Sequence, residues 1–332
     1  VIFDGAEVPF VTADFEIEVA GGEAEAARGL YVPHHGPVLA IDREDPAVPT
    51  LVRRDRFGGA ALARPEAMAV AADGSIAVAD SATRSIVILE SDGRLRRRLG
   101  QDTLRRPLGV AIDEASDAVL VADEVLRAVV RLPRDGSPAE VLVRFLPSRS
   151  GERIAAGPLR DGGEGVMPLR QPVGVSVISG GRIAVVDAGH ARVVVVDPAA
   201  DAAWSFGEYG PFPGLMERPW RVREQGGRLV VVDRGNHRLQ EHAIDGTLRG
   251  LWGIHARRPH EGGGVIHDPA DIAFDPAGRY AAILEPFEDR VQIFARDPST
   301  EMVDPARLPQ VERDAHFGVR VAADGPLLVL AE

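Results

Sequence analysis

Residues 64–100 read RPEAMAVAADGSIAVADSATRSIVILESDGRLRRRLG, and their spacing of apolar and turn residues indicates the fold. It holds three short apolar runs, at 67–71, 76–79 and 86–89, and a last predicted strand at 95–99; an Asp-Gly dipeptide separates the first two of these four segments and the last two. Asp-Gly between alternating apolar runs is a strong signal for a β-hairpin. Four antiparallel strands within about forty residues predict one blade of a β-propeller.

The same pattern returns along nearly the whole chain, as expected of a repeat protein. Further copies span residues 106–132, 171–197, 218–245 and 268–294, a degenerate first copy spans 27–42, and a final half-copy spans 317–332. The seven strand pairs predict an all-β fold, a single propeller domain over residues 1–332 built from four-stranded antiparallel blades. Seven blades are favoured and six are the alternative. Because the last copy lacks its outer strands, we predict that strands in VIFDGAEVPFV (1–11) share its blade and close the ring, which removes exposed sheet edges.

Composition excludes several classes of protein. The formal net charge of −12 would repel a phosphate backbone, so we predict no nucleic-acid partner. The chain has no cysteine, which excludes disulfides and thiolate metal sites. No apolar run approaches the roughly 18 residues that a transmembrane helix needs. We therefore predict no transmembrane segment, and the composition leaves the compartment open.

A carboxylate ends the second strand of each copy, and an arginine follows four or five residues later. The carboxylates are Asp80, Asp123, Asp187, Asp233 and Glu285, and the arginines are Arg84, Arg127, Arg192, Arg238 and Arg290. Five such pairs in one register cannot all be active sites. We interpret them as a repeated structural clamp, in which the carboxylate accepts hydrogen bonds within its loop and the arginine bridges strands or blades. This interpretation predicts similar losses of stability for Arg84→Ala and Arg238→Ala.

The pattern at 219–240, with its Asp-Arg-Gly-Asn-His-Arg-Leu-Gln segment, closely resembles the repeats of NHL-repeat β-propellers, and the Gly-rich stretch 151–175 is similar to their inter-blade connection. The resemblance covers residues 27–332, implies the propeller fold and favours a periplasmic, extracellular or cell-surface location. NHL-like amidating lyases hold zinc with histidines at the start of the innermost strands. The corresponding positions here contain no histidine: Arg28, Glu66, Leu108, Val173, Trp220, Ala270 and Phe317. The resemblance therefore implies no zinc site of that design, and the mostly apolar ring predicts a hydrophobic plug or pocket in the channel.

Large side chains concentrate in loops that the propeller topology places on one face, as expected of a recognition surface. The candidate binding residues are His190, Tyr209, Phe212, Trp220, His237, His255, His260, His267, Phe287 and His316. We predict a rigid binding or interaction module whose partner is most simply a protein, with no catalytic residue, metal or cofactor assigned. The alternative is a metal-assisted lyase or hydrolase. A transition metal held by two or three of His255, His260, His267 and His316 stays open, and so does calcium bound by carboxylates and carbonyls.

Overall fold

The computed structural model describes residues 62–90, 94–252, 265–274 and 280–288 almost without interruption. Beyond these ranges it describes separate strands at Val8–Val11, Glu16–Ala20, Val38–Asp45, Val48–Arg54, Ile254–His255, Arg290–Ala295, Phe317–Arg320 and Leu328–Ala331. The fold is all-β, a propeller-like arrangement of antiparallel sheets.

Four complete four-stranded antiparallel blades lie within the described residues, and in each blade the strands pair in chain order. Blade A consists of Pro65–Val70, Ile76–Asp80, Ser85–Leu89 and Leu95–Leu99, and blade B of Pro107–Asp113, Ala118–Asp123, Ala128–Pro133 and Glu140–Val143. Blade C consists of Pro172–Ile178, Arg182–Asp187, Arg192–Asp197 and Ala202–Phe206, and blade D of Pro219–Gln225, Arg228–Asp233, Arg238–Ala243 and Leu248–Trp252. The first strands of successive blades contact one another, so they lie innermost around the axis.

A fifth sheet, sheet E, follows blade D. Its antiparallel strands are Asp271–Phe274, Tyr280–Glu285 and Arg290–Ala295. The N-terminal strand Glu16–Ala20 pairs in parallel with Arg290–Ala295. Without a fourth strand, Arg290–Ala295 would leave a row of backbone N–H and C=O groups without hydrogen bonds at the edge of sheet E. The strand Glu16–Ala20, which reads EIEVA, pairs with this edge.

The predicted closure differs from this arrangement. The C-terminal strands Phe317–Arg320 and Leu328–Ala331 pair only with each other among the described residues, and Val8–Val11 pairs with Val38–Asp45. The described part of the chain thus holds four complete blades, fewer than the predicted seven or six. The prediction counted every strand pair as a blade, whereas a strand pair specifies only two strands.

The Gly-rich connection between blades B and C is itself folded. Strands Phe145–Pro147 and Val166–Pro168 pair with each other around the short helix Pro158–Asp161. Strand Arg153–Ile154 adds to the outer edge of blade C as a fifth strand, and the Arg153 guanidinium lies 4.5 Å from the centre of the Trp204 ring. The remaining short helical turns are Ser179–Gly181, Ala188–His190, Arg234–Asn236 and Pro286–Glu288.

The middle strands are apolar at nearly every position because both faces of each blade are covered by neighbours. In the third strand of blade C, Val193 and Val195 pack toward blade D, whereas Val194 and Val196 pack toward blade B. The first strands also approach closely: a Cβ on Gly174 would lie 2.8 Å from the carbonyl oxygen of Trp220, and one on Gly109 would lie 2.7 Å from that of Val173. Glycine at these two positions lets the innermost strands meet.

Candidate functional site

The inter-blade connections and the loops between second and third strands lie at the same end of the blades. We call this end the loop face; its described segments are 62–64, 81–84, 100–106, 124–127, 144–171, 188–191, 207–218, 234–237, 265–270 and 286–288. In each of the four complete blades, a backbone hydrogen bond ties the loop to the connection preceding its blade, such as Glu124 N to Arg106 O at 3.1 Å and Gly235 N to Glu217 O at 2.7 Å. The loop face is therefore a continuous, hydrogen-bonded surface.

The carboxylate that ends each second strand is buried and accepts hydrogen bonds from both sides. Asp123 accepts from the backbone N–H of Arg105 and Arg106 at 2.7 and 2.9 Å, and from Val125 and Leu126 in its own loop at 3.1 and 3.0 Å. Asp80 and Asp187 accept from the equivalent connection residues, and Glu285 accepts from His267 N. These carboxylates thus join loop to connection in the four complete blades.

The arginines occupy two different positions. Arg84 and Arg127 are exposed loop residues in the left-handed region, at φ 53° and 50°, where the other copies have Ala191 and His237. Arg192 and Arg238 instead begin the third strand, directly opposite Asp187 and Asp233. Arg192 donates to the carbonyl oxygen of Pro147 at 2.9 Å, and the side chain of Arg290 lies outside the described residues. The sequence analysis placed all five arginines in one register, so it treated these two positions as one.

In blade D, the Asn-His-Arg-Leu-Gln segment holds the connection 207–218. Asn236 donates to Gly210 O at 3.0 Å, and Arg238 donates to Phe212 O and Leu215 O, both at 2.9 Å. Gln240 donates to Leu215 O at 2.6 Å and accepts from Gly214 N at 2.9 Å. Sequence reasoning did not single out Gln240, although it stands beside Arg238 in the resembling motif.

Asp233 anchors the same network, because the side chains of Asn236, Arg238 and Gln240 all donate to its Oδ2, at 2.8, 2.9 and 2.9 Å. Burial raises the pKa of Asp233, and Arg238 opposes this shift. The geometry is that of a structural network. Both oxygens of Asp233 already accept hydrogen bonds from the protein, so this carboxylate is not available to a substrate.

The predicted binding residues in the connection 207–218 stand out from this rigid base. The exposed fraction is 75% for Tyr209 and 58% for Phe212. Trp220 is half-buried, with the guanidinium carbons of Arg234 and Arg221 at 5.0 and 5.6 Å from its ring centre. The connection therefore presents two aromatic side chains on a fixed backbone.

The histidines fall into separate groups. The rings of His237 and His267 stack with centroids 5.0 Å apart, and Phe287, which is 59% exposed, meets His267 edge-on at 4.7 Å. Nδ1 of His237 accepts a hydrogen bond from Asp268 N at 2.9 Å, so it carries no proton in this arrangement.

His190 lies apart from this stack and bonds Asp187 at 2.8 Å. For His255 only the backbone strand is described, and His260 and His316 lie outside the described residues. Across the part of the chain that the structure describes, no three His, Asp or Glu side chains converge as a metal site would require.

Arg221 fills the axis of the propeller and was not predicted. It is 2% exposed, and its Nη1 donates to the carbonyl oxygens of Val173 and Trp220 at 2.7 and 3.0 Å. Its Nη2 donates to those of Glu66 and Leu108, both at 2.9 Å. One guanidinium thus joins the innermost strands of all four complete blades.

The expected hydrophobic plug is therefore a buried cation. Burial lowers the pKa of Arg221 to about 10, so the group remains charged at neutral pH. In the repeat, Arg221 occupies the position that is Gly109 in blade B and Gly174 in blade C. This replacement of glycine by arginine in an innermost strand is the signal by which the sequence marks the residue.

Beyond Arg221, a cavity of about 370 Å³ lies among the second halves of the innermost strands. Its lining includes Met68, Ile112, Val177 and Phe274 as well as Arg223. Arg223 is anchored by an ion pair of 3.1 Å with Asp271. Although burial raises the pKa of Asp271, the neighbouring arginines lower it overall.

Comparison with known proteins supports the fold. A virginiamycin B lyase structure from Staphylococcus aureus, a catalytically inactive variant with quinupristin, has a TM-score of 0.52 at 12% identity and covers 85% of this chain and 96% of that one. A structural genomics protein of unknown function from Bacteroides thetaiotaomicron has a TM-score of 0.53 at 15% identity, with coverage of 87% and 76%. At these identities the likeness concerns the fold alone.

No curated protein sequence matches the chain. Within the described residues, no helix is long and apolar enough to cross a membrane. The family model described as "NHL repeat" matches residues 169–196, which comprise the first, second and most of the third strand of blade C. Blade C thus resembles an NHL repeat, and the predicted resemblance to NHL-repeat β-propellers is confirmed.

Proposed function

We propose that the chain is a rigid binding module that recognises a protein partner through its loop face. One observation carries the proposal. Five large apolar side chains are exposed among the described residues, and four of them lie on the loop face: Val125, Tyr209, Phe212 and Phe287. The fifth, Leu95, lies at the start of the fourth strand of blade A. Aromatic side chains on a fixed base are typical of the residues that contribute most to protein–protein affinity.

The rigidity of the connection 207–218 supports the same conclusion. Arg238, Asn236 and Gln240 hold its backbone through five hydrogen bonds to Gly210, Phe212, Gly214 and Leu215. A surface that is already ordered loses little conformational entropy when a partner docks. Tyr209 and Phe212 therefore resemble preorganised anchors.

The test is affinity capture from the source organism with quantitative mass spectrometry. A Tyr209→Ala/Phe212→Ala double variant should lose the partners captured by the unaltered protein, because it removes both anchors and leaves the backbone network in place. Leu95→Ala is the matched control, since it removes an exposed apolar side chain away from the loop face. Equal capture by all three proteins would overturn the proposal.

A metal-assisted lyase or hydrolase is the second candidate, and the stacked pair His237 and His267 is the observation that favours it. Two imidazoles 5.0 Å apart could contribute two ligands, but a catalytic zinc site needs three protein ligands. Elemental analysis of the purified protein distinguishes the candidates. One transition-metal ion per chain that is lost in His267→Ala would establish the metal site, whereas a metal-free protein that captures its partner would favour the binding module.

A further inference from the structure

We propose that the segment bound by the loop face is acidic, and that a cluster of arginines on blades A to C recognises its carboxylates. The inference rests on the proposed function and names the chemistry of the partner. The cluster, which we call the arginine patch, consists of Arg84, Arg105, Arg106, Arg127 and Arg170.

The arginine patch is exposed and largely unpaired. All five side chains are exposed, and among the described residues only Arg106 forms an ion pair, with Glu124 at 2.6 Å. Arg105 and Arg170 donate only to backbone carbonyl oxygens. The segments 81–84, 100–106, 124–127 and 169–171 that carry the patch contain just two carboxylates besides the buried strand-end ones, Asp102 and Glu124. Among the solvent-accessible charged groups of these segments, five arginines therefore face two carboxylates, while the buried strand-end carboxylates are bonded to backbone N–H groups.

Hydrogen bonds show that the patch is continuous across blades B and C. Glu124 pairs with Arg106 through one oxygen and accepts from Gln171, the neighbour of Arg170, through the other at 2.8 Å. Val125, which is 60% exposed, lies in the same loop as Arg127. The patch thus combines guanidinium groups with an exposed apolar side chain, which suits a segment carrying both carboxylates and apolar side chains.

Arginine is also the basic residue best suited to carboxylates. All 38 basic side chains of this protein are arginines, and the sequence contains no lysine. The guanidinium group binds a carboxylate through two parallel N–H donors, which a lysine ammonium cannot do.

The distribution of charge favours an acidic peptide over a nucleic acid. Residues 62–252 contain 25 arginines and 25 carboxylates, so the whole net charge of −12 comes from residues 1–61 (5 against 11) and 253–332 (8 against 14). The net charge of −12 of the whole chain opposes the binding of a long polyanion. A short peptide contacts only the local patch, because charges farther than the Debye length of about 8 Å are screened.

The experiment is selection from a phage library of random 12-residue peptides against the immobilised full chain. We expect the selected peptides to be enriched in Asp and Glu relative to the starting library. The best peptide, labelled with fluorescein, should lose about tenfold in affinity to an Arg84→Gln/Arg127→Gln variant. The matched control is Arg249→Gln, an exposed arginine in the fourth strand of blade D, which should bind the peptide unchanged.

Three results would overturn the inference. The first is the absence of acidic enrichment, and the second is equal affinity of the peptide for the unaltered chain and the double glutamine variant. The third is tighter binding of a 15-nucleotide oligo-dT than of the best peptide. If neutral peptides are selected and their binding is lost in Phe212→Ala, the acidic-partner inference fails while the proposed function stands.

Discussion

Arg221→Met is the substitution that tests most directly how the blades are held at the axis. It keeps most of the side-chain length and removes every donor, so the carbonyl oxygens of Glu66, Leu108, Val173 and Trp220 each lose one hydrogen bond. Removing one partner from a buried charged network costs about 3–5 kcal/mol, since the groups left behind cannot be solvated as they are in the unfolded chain. We therefore expect the free energy of unfolding to fall by about 4 kcal/mol.

The assay is urea unfolding followed by the fluorescence of the three tryptophans, with the denaturant dependence checked for an unchanged slope. Arg249→Met is the matched control. Arg249 is also an arginine of blade D, but it is exposed and lies in the fourth strand. The substitution should change the free energy of unfolding by less than about 0.5 kcal/mol.

Equal costs for the two variants would refute the reasoning. In that case the four carbonyl oxygens would find other donors at no penalty, and Arg221 would occupy the axis without joining the blades. Arg221→Lys separates charge from geometry, because it keeps the cation but cannot donate in the same fork. A cost for Arg221→Lys close to that of Arg221→Met would show that the fork, rather than the charge, holds the strands.

Three further outcomes follow from the geometry. In urea unfolding, Arg238→Ala should lower the free energy of unfolding by about 3 kcal/mol, because it leaves the buried Asp233 without its cation. Arg84 is exposed, so Arg84→Ala should change it by less than about 0.5 kcal/mol. Equal losses would contradict the conclusion that Arg84 and Arg238 occupy different positions. Burial lowers the pKa of His242 to about 4 from 6.5, so the unfolded state binds the proton first as the pH falls. The free energy of unfolding should therefore decrease by about 3 kcal/mol between pH 6.5 and pH 4. His242→Gln should reduce this decrease in a pH series of unfolding curves, and an unchanged pH dependence would contradict the prediction. Gly174→Ala places a Cβ 2.8 Å from Trp220 O, so it should cost about 1–3 kcal/mol and lower the thermal midpoint. A Cβ at Gly157 meets nothing within 4 Å, so Gly157→Ala should leave the midpoint unchanged. Calorimetry measures both midpoints, and equal changes in the two variants would contradict the prediction.

Local sequence signals predicted most of the strands of the described blades. The run at 76–79 lies within the strand Ile76–Asp80, and the run at 95–99 coincides with Leu95–Leu99. These strands are specified by nearby residues, namely an apolar run and the Asp-Gly turn at Asp73. The strand Arg153–Ile154 escaped prediction because two residues carry no periodicity, and it is defined by pairing with Trp204, fifty residues away.

The role of each arginine could not be read from spacing alone. Arg84 and Arg238 follow their carboxylates by four and five residues, and that one-residue difference separates an exposed loop position from the first residue of a buried strand. A residue in the left-handed conformation closes the loop in each of the four complete blades: Arg84, Arg127, Ala191 or His237. Aligning the copies on this residue instead of on the arginines would have revealed the two positions.

Arg221 escaped prediction for a different reason, and its position bears on where a function can lie. Its role depends on carbonyl oxygens from four strands, the farthest of them at Glu66, 155 residues before Arg221, so no local pattern encodes it. Those oxygens are also the groups that a cation on the axis would use, and the guanidinium already occupies them while remaining charged at neutral pH. A calcium ion at that point would have to displace a buried like charge. The axis is therefore committed to holding the blades together, and the binding surface that we propose lies away from it, on the loop face.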